Sequence, residues 1–290
     1  LGASNASVRD AFPAPDGGML VVLSSQDNGD QATLVRLDAA GQVLWSRRCN
    51  EAKSSVFRLN RLQNGNWLII GTGPAGTPGD SSGMLMSVDD NGQVVWTKVY
   101  DSTDGPMQFY DACEDDQGFL YVVGIQYATM ESSEAILCRV LPSGTLDWIR
   151  RQESIPGNRL FRIMPWNGEQ ELLVGGYTVA TNGFASVWLS AFRLDGERVW
   201  ANSYATLGKQ LFLCDLVPAP GGAWFSYAEQ ASNPQPGTGI GRINTNGDLL
   251  KVSAYDAVGK QGGAPRLALS AQNTIMVADG VVDGQGRALY

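Results

Sequence analysis

The sequence contains no histidine and only four cysteines in 290 residues, Cys49, Cys113, Cys138 and Cys214. Without histidine, neither a Ser-His-Asp triad nor a Cys-His pair can form, and zinc sites that combine cysteine with histidine are excluded. The cysteines are too few and too scattered for a disulfide framework, and none forms a CxxC pair. We therefore predict buried free thiols, with no metal site and no cofactor.

Positive charge is also scarce, because 21 basic residues face 29 acidic ones, which gives a net charge of -8. An acidic surface repels phosphate backbones, so nucleic-acid binding would need a local basic patch. The densest basic groups, Arg47-Arg48 and Arg150-Arg151, are only two residues long. No apolar stretch approaches the roughly 20 residues that cross a bilayer. The sequence thus predicts neither a nucleic-acid partner nor a membrane span.

Glycine is plentiful, with 35 residues, and much of it marks a repeat. Segments such as LDAAGQVLW, ending at Trp45, and VDDNGQVVW, ending at Trp96, place a turn glycine four residues before a bulky apolar residue. The five turn glycines recur every 51 or 52 residues, at Gly41, Gly92, Gly144, Gly196 and Gly247. A repeat of this length is typical of one propeller blade.

Each repeat is predicted to contain four short strands. In the second repeat they cover residues 57–62, 67–71, 83–88 and 94–99, with Asn-Gly turns that suit tight hairpins. We therefore predict an all-β, single-domain β-propeller over residues 1–290 with about six four-stranded blades, or seven if the native chain is longer. A β-sandwich or two barrels would not explain the recurring turn chemistry. The predicted blades cover residues 8–49, 56–100, 108–151, 160–203, 211–255 and, incompletely, 264–290.

The segments DGGMLVVLSS…TLVRLDAAGQVLWSRR, from Asp16, and SVDDNGQVVWTKVY, to Tyr100, carry a resemblance to a known family. They resemble the tandem blades of bacterial, often surface-exposed proteins with repeats of the form DGGYI…LIKTDANGNELW. More distantly, they are similar to quinoprotein-type propellers, whose repeats also end in Gly-x-x-x-Trp. The resemblance covers nearly the whole chain and implies a propeller of a secreted, periplasmic or cell-surface protein. It implies little about chemistry, because fold does not define function.

Arginines on the first strand of the repeats suggest a candidate ligand site. Arg58, Arg162 and Arg266 are two repeats apart each time, and Arg9 and Tyr110 align with them. One hypothesis is an axial channel that captures a carboxylate or phosphate, which guanidinium forks suit. The alternative is Arg–Asp pairing between blades, with Asp10, Asp111 and Asp215 close by, because buried charges need partners.

The connections between second and third strands are the longest and most variable, at 72–82, 126–134 and 228–237. Variable loops on a rigid scaffold often bind partners. We therefore expect a non-enzymatic binding or scaffolding module that takes a protein partner or a surface glycan on this long-loop face. The alternatives are a polysaccharide hydrolase or lyase that uses carboxylates in the axial pocket and a quinone-dependent dehydrogenase. The four repeat tryptophans Trp45, Trp96, Trp148 and Trp200 are expected to be packing residues, and a sugar-stacking role is considered for Trp166.

Overall fold

The computed structural model describes most of the chain. The described residues are 6–25, 31–49, 55–74, 81–101, 105–129, 132–152, 159–180, 183–231, 237–256, 265–269, 275–278, 281–282 and 288–289. They form strands and turns, and among them we find no helix with the length and apolar character needed to span a membrane. The all-β prediction is confirmed.

Twenty strands form five antiparallel sheets, each with its four strands in chain order. Blade 1 consists of β1 (Ala6–Pro13), β2 (Met19–Ser25), β3 (Gln31–Leu37) and β4 (Val43–Arg48). Blade 2 consists of β5 (Val56–Arg61), β6 (Trp67–Pro74), β7 (Ser81–Val88) and β8 (Val94–Tyr100). Blade 3 consists of β9 (Met107–Glu114), β10 (Leu120–Thr129), β11 (Ser132–Val140) and β12 (Leu146–Gln152). Blade 4 consists of β13 (Arg159–Trp166), β14 (Glu171–Val179), β15 (Ala185–Arg193) and β16 (Arg198–Tyr204). Blade 5 consists of β17 (Lys209–Ala219), β18 (Gly222–Ala231), β19 (Gly237–Asn244) and β20 (Leu249–Asp256).

These sheets are the blades of a β-propeller, as predicted, but the described residues form five blades rather than about six. The predicted sixth blade is replaced by two separate two-stranded sheets. The first pairs β21 (Arg266–Leu269) with β22 (Ile275–Ala278), and the second pairs β23 (Val281–Val282) with β24 (Ala288–Leu289). In the described part of this segment, four strands of two to four residues do not join into one sheet, so the count of six was wrong.

The chain divides into two compact units, Leu1–Arg150 and Arg151–Tyr290. Unit 1 contains blades 1 to 3, apart from the last residues of β12, and unit 2 contains the rest. Unit 1 has two cores, one around Trp67 and Leu34 and one around Phe109 and Val122. The core of unit 2 surrounds Phe225 and Leu189. The expected single domain stays a prediction.

The hairpin turn between the third and fourth strands shows why aspartate and glycine recur there. In blade 2, Asp89 Oδ1 accepts hydrogen bonds from the N–H groups of Asn91 and Gln93, at 2.9 and 2.8 Å. Gly92 follows with a φ of 79°, a left-handed conformation that glycine adopts without steric cost. Side-chain and backbone chemistry together therefore fix the register of this hairpin.

The repeat tryptophans pack against the turn glycine of the next blade. In three tryptophan–glycine pairs, both residues of which belong to the same unit, a Cβ placed on the glycine would lie about 3 Å from the indole ring. These pairs are Trp45 with Gly92, Trp96 with Gly144, and Trp200 with Gly247. For these three tryptophans, the structure confirms the packing role that the repeat indicated.

Candidate functional site

A β-bulge interrupts the first strand of every blade. The residue that the pairing skips is Arg9 in β1, Phe57 in β5, Tyr110 in β9, Phe161 in β13 and Cys214 in β17. A bulge bends its strand and redirects the side chain of the extra residue. In blade 3 the backbone comes so close that a Cβ on Gly124 would lie 2.0 Å from the carbonyl oxygen of Gln108. Only glycine fits there.

The first paired residue after each bulge is charged, and the sign alternates along the chain. These residues are Asp10, Arg58, Asp111, Arg162 and Asp215. The prediction that Arg9 and Tyr110 share the strand position of Arg58 was therefore wrong, because Arg9 and Tyr110 are the bulge residues of their strands, whereas Arg58 follows its bulge residue. Asp10 and Asp111 hold that position instead.

In unit 1 the alternating charges form ion pairs between neighbouring blades. The Arg58 guanidinium lies 3.7 Å from Oδ1 of Asp10 and 3.7 Å from Oδ1 of Asp111. Asp10 Oδ2 also accepts a hydrogen bond from the N–H of Leu59 at 2.9 Å, and Asp111 Oδ1 accepts one from the N–H of Ala112 at 2.9 Å. The strand-to-strand contact is thus held by both side chain and backbone.

Unit 2 repeats the arrangement in a more buried form. Arg162 Nε donates to Asp215 Oδ1 at 3.1 Å, and their side chains are 12% and 5% exposed. The other carboxylate oxygen accepts the N–H of Leu267 in β21 at 2.9 Å. Because both oxygens of Asp215 are engaged, this carboxylate is a structural anchor for the first strands on either side.

The remaining predicted site residues have other contacts. Arg9 Nε donates to Ser24 Oγ at 2.8 Å, and the Tyr110 hydroxyl donates to Gln108 Oε1 at 2.7 Å. Arg266 pairs with Ala278 in the β21–β22 ladder, and its buried Nη1 has no hydrogen-bond acceptor within the described ranges. The contacts of Arg58 and Arg162 match the Arg–Asp alternative. Capture of an anion by this set of arginines stays a prediction.

Half-buried aromatic rings form a row beside these charges in unit 2. The Tyr177 ring lies 5.5 Å from that of Phe161 and 4.9 Å from that of Phe212, between ring centroids. In unit 1 the rings of Phe57 and Tyr110 lie 5.1 Å apart. We call Phe161, Tyr177 and Phe212 the aromatic row. It lies where first strands start and second strands end, the end of the blade that carries the long loops.

Charged groups of blade 5 lie on β17, which carries Phe212 of the aromatic row, and on the neighbouring strand β18. Lys209 Nζ lies 2.6 Å from Oε2 of Glu229, whose side chain is only 6% exposed. Burial, and then the charge of Glu229, raise the pKa of Tyr227 above its ordinary value, so its hydroxyl keeps its proton at neutral pH. On blade 4, Arg159 is the ladder partner of Tyr177. This end of unit 2 therefore combines aromatic surface with basic side chains.

Solved structures show what the fold is similar to. A protein of unknown function from Dyadobacter fermentans matches with a TM-score of 0.65 at 12% identity, over 98% of this chain and 91% of that one. The periplasmic gluconolactonase of Pseudomonas aeruginosa matches with a TM-score of 0.63 at 15% identity, over 97% and 84%. An ulvan lyase matches with a TM-score of 0.56 at 11% identity, over 96% and 80%.

At these identities the matches show the β-propeller fold alone. No protein-family profile matches the chain, and no curated protein matches it. The resemblance to the tandem bacterial blades is therefore supported for the fold, and its repeat family stays a prediction. The described residues also contain no group of three or more histidine, cysteine, aspartate or glutamate side chains that could hold a metal ion.

The binding site that the sequence predicted on the long-loop face stays a prediction, and the sequence missed the residues that form the aromatic row. The long loops predicted to bind lie partly outside the described residues, at 75–80, 130–131 and 232–236. Phe161 lies next to Arg162 of the predicted arginine set, but neither it nor Phe212 was predicted to be a site residue. Tyr177 lies on a second strand with no repeat signal, and its neighbours are set by contacts between strands that one sequence does not reveal.

Proposed function

We propose that this β-propeller is a non-enzymatic binding module that takes a protein partner on its aromatic row. The contact of three half-buried rings, Phe161, Tyr177 and Phe212, carries this proposal. Tyrosine, arginine and other large residues dominate the energetic centres of protein interfaces. Arg159, the ladder partner of Tyr177, places a basic side chain beside the row that suits an acidic group of the partner, whereas Lys209 is already paired with Glu229.

The orientation of the rings favours a protein over a glycan. The planes of Phe161 and Tyr177 cross at 38°, and those of Tyr177 and Phe212 cross at 85°. Rings that cross at such angles do not present one flat aromatic surface. A sugar ring stacks instead on a flat, open aromatic face. The glycan partner is therefore the weaker alternative.

The contacts of the first-strand carboxylates do not favour a hydrolase or lyase. Such enzymes need a proton donor and a second carboxyl that converge on one bond. Asp10 and Asp111 are both bound to Arg58 and to backbone N–H groups, and Asp215 is bound on both oxygens. These contacts are with cations and backbone N–H groups, which is the role of structural carboxylates.

The test compares variants of the row with a control on an outer strand. The full chain is used to select binders from a random dodecapeptide phage library, and the same protein is applied to an oligosaccharide array. Synthetic copies of selected peptides are then titrated against Tyr177→Ala, Tyr177→Phe and Val199→Ala. Val199 is an exposed residue of β16, 44% accessible.

We expect Tyr177→Ala to weaken peptide binding at least about tenfold, the loss typical of an interface anchor. Tyr177→Phe should retain most of the affinity and Val199→Ala all of it. Circular dichroism of each variant shows that it is folded. Peptide binding that Tyr177→Ala leaves unchanged would contradict the proposal, and strong array binding without peptide binding would favour the glycan alternative.

A further inference from the structure

A cavity lies at the end of the blades opposite to the aromatic row. It is formed in unit 2 by the turns that follow β13 and β17, with a volume of about 510 Å³. Ligand pockets typically measure roughly 300–1,000 Å³. Its walls include Met164, Pro165, Trp166 and Glu169 from blade 4, and Pro218 and Thr245 from blade 5.

Trp166 lines this cavity and carries a buried indole N–H without a described acceptor. Its side chain is buried, at 5% exposure, and its Nε1–H has no acceptor in the part of the chain that the structure describes. A buried indole N–H normally has a partner. Trp67 donates to Asp90 Oδ1 and Trp45 to the Asp90 carbonyl oxygen, each at 2.8 Å. The donor of Trp166 therefore calls for an acceptor that the described residues do not supply.

The turn after Trp166 holds an unusual backbone conformation at the rim of the cavity. Asn167, Gly168 and Glu169 are three successive residues with positive φ, at 51°, 70° and 65°. A left-handed conformation costs a glutamate about 1–2 kcal/mol. It leaves Glu169 exposed on the rim, and none of the residues that line the cavity is basic. The rim therefore suits a cation and disfavours an anion.

Two prolines restrict the kind of chain that can bind here. Pro165 and Pro218 occupy equivalent positions, each one residue before the end of its strand, β13 and β17. Both strands are the first of their sheets. Proline has no N–H, so a β-strand cannot be added along this edge. A polyproline II segment needs no strand ladder, because it binds through its rings and through carbonyl groups that accept from aromatic N–H donors.

We propose that the Trp166 cavity binds a short proline-containing segment with an adjacent basic residue. The proline rings pack against Met164, Pro165 and Pro218, a peptide carbonyl accepts the Trp166 Nε1–H, and the basic side chain pairs with Glu169. A sugar is the less favoured occupant, because the buried indole offers little open face for stacking. The proposal is independent of the aromatic row and of the function assigned to it.

The test follows the indole resonance of Trp166 in the ¹⁵N-labelled full chain, assigned with Trp166→Phe. Acetyl-Pro-Pro-Pro-Arg-amide is the probe. Acetyl-Ala-Ala-Ala-Arg-amide, acetyl-Pro-Pro-Pro-Glu-amide and cellobiose are the comparison ligands. We expect the probe to shift this resonance in a saturable manner and the comparison ligands to bind at least about fivefold more weakly, the effect of one net hydrogen bond or ion pair.

Two variants separate binding from folding. Glu169→Gln should weaken the probe about two- to fivefold, as expected for an exposed ion pair. Glu197→Gln, which removes an exposed carboxylate paired with Arg193, should leave the affinity unchanged. A resonance that the probe does not shift overturns the proposal. The proposal is also overturned if the alanine peptide binds as tightly as the probe, or if cellobiose shifts the resonance and the probe does not.

Discussion

The indole of Trp45 covers Gly92 in the next blade of unit 1. A Cβ on Gly92 would lie 3.1 Å from Cε3 of Trp45, and the same indole donates from Nε1 to the Asp90 carbonyl oxygen at 2.8 Å. One side chain therefore packs on a turn and also hydrogen-bonds to it. The contact requires a glycine both for its conformation and for its lack of a side chain.

Gly92→Ala is expected to destabilise the protein more than Gly41→Ala. Both glycines have positive φ, 79° and 77°, so each alanine incurs a conformational cost of about 1–2 kcal/mol. Only Gly92 lies under an indole. No atom of the described residues lies within 4 Å of a Cβ on Gly41. Urea unfolding should show an extra loss of about 1 kcal/mol or more for Gly92→Ala, and equal losses would contradict the packing role.

Asp215→Asn is expected to lower the free energy of unfolding by about 3 kcal/mol. The substitution removes the negative charge that the buried Arg162 guanidinium faces, and the loss of one partner of a buried pair is strongly destabilising. Glu197→Gln is the matched control, because its pair with Arg193 is exposed, at 64% and 58%, and should contribute less than about 1 kcal/mol. Denaturant titrations at pH 7 measure both, and similar losses for the two variants would show that the buried pair is not an anchor.

Trp166→Phe is expected to affect stability less than Trp67→Phe. Both substitutions remove a similar volume. Trp67→Phe also breaks the hydrogen bond to Asp90 and the stacking of Arg61 over the ring at 4.3 Å. Trp166→Phe removes a donor without an acceptor in the described structure. The difference in unfolding free energy should be about 1–3 kcal/mol. A larger loss for Trp166→Phe would indicate that its N–H is already satisfied.

Asp90→Asn is expected to show a pH-dependent loss of stability. The hydrogen bonds from Arg61, at 2.5 and 2.8 Å, lower the pKa of Asp90, with a smaller effect from Trp67. A lowered pKa in the folded state stabilises the protein above the ordinary carboxyl pKa of about 4, and the effect disappears as the pH falls through the folded value.

Wild type and Asp90→Asn should therefore differ at pH 7, by less than about 1 kcal/mol because Asp90 is half exposed. The difference should shrink steadily below about pH 4. Thermal unfolding from pH 2.5 to 7 in steps measures it. A constant difference over this range would mean that the loss of stability in Asp90→Asn comes from altered packing rather than from the lost ionisable group.

Much of the fold could be predicted because it is local. A turn glycine with its aspartate, and a tryptophan four residues later, are determined by backbone geometry within one hairpin, so their spacing in the sequence directly indicates a blade. The number of blades was harder to predict from the sequence. The residues after Asp256 contain the same kinds of apolar runs, but their strands remain in separate pairs.

The candidate sites were harder to predict because they depend on registers and contacts between strands. The bulge falls on Arg9 in β1 and on Phe57 in β5, so Asp10 rather than Arg9 matches Arg58, and no residue type marks a bulge reliably. Tyr177 and Trp166 interrupt the repeat pattern rather than follow it. Their roles depend on which side chains of the adjoining blade face them, which the order of residues alone does not determine.

The alternation of aspartate and arginine after the bulges limits how such a chain can gain or lose blades. If blade 2 were deleted from unit 1, Asp10 would lie beside Asp111, and two carboxylates would meet where one guanidinium now binds both. Duplication of a single blade would likewise place identical charges next to each other. Duplication of two consecutive blades would preserve every pair. The alternation therefore favours changes of two blades at a time, twice the length of the repeat that the glycines display.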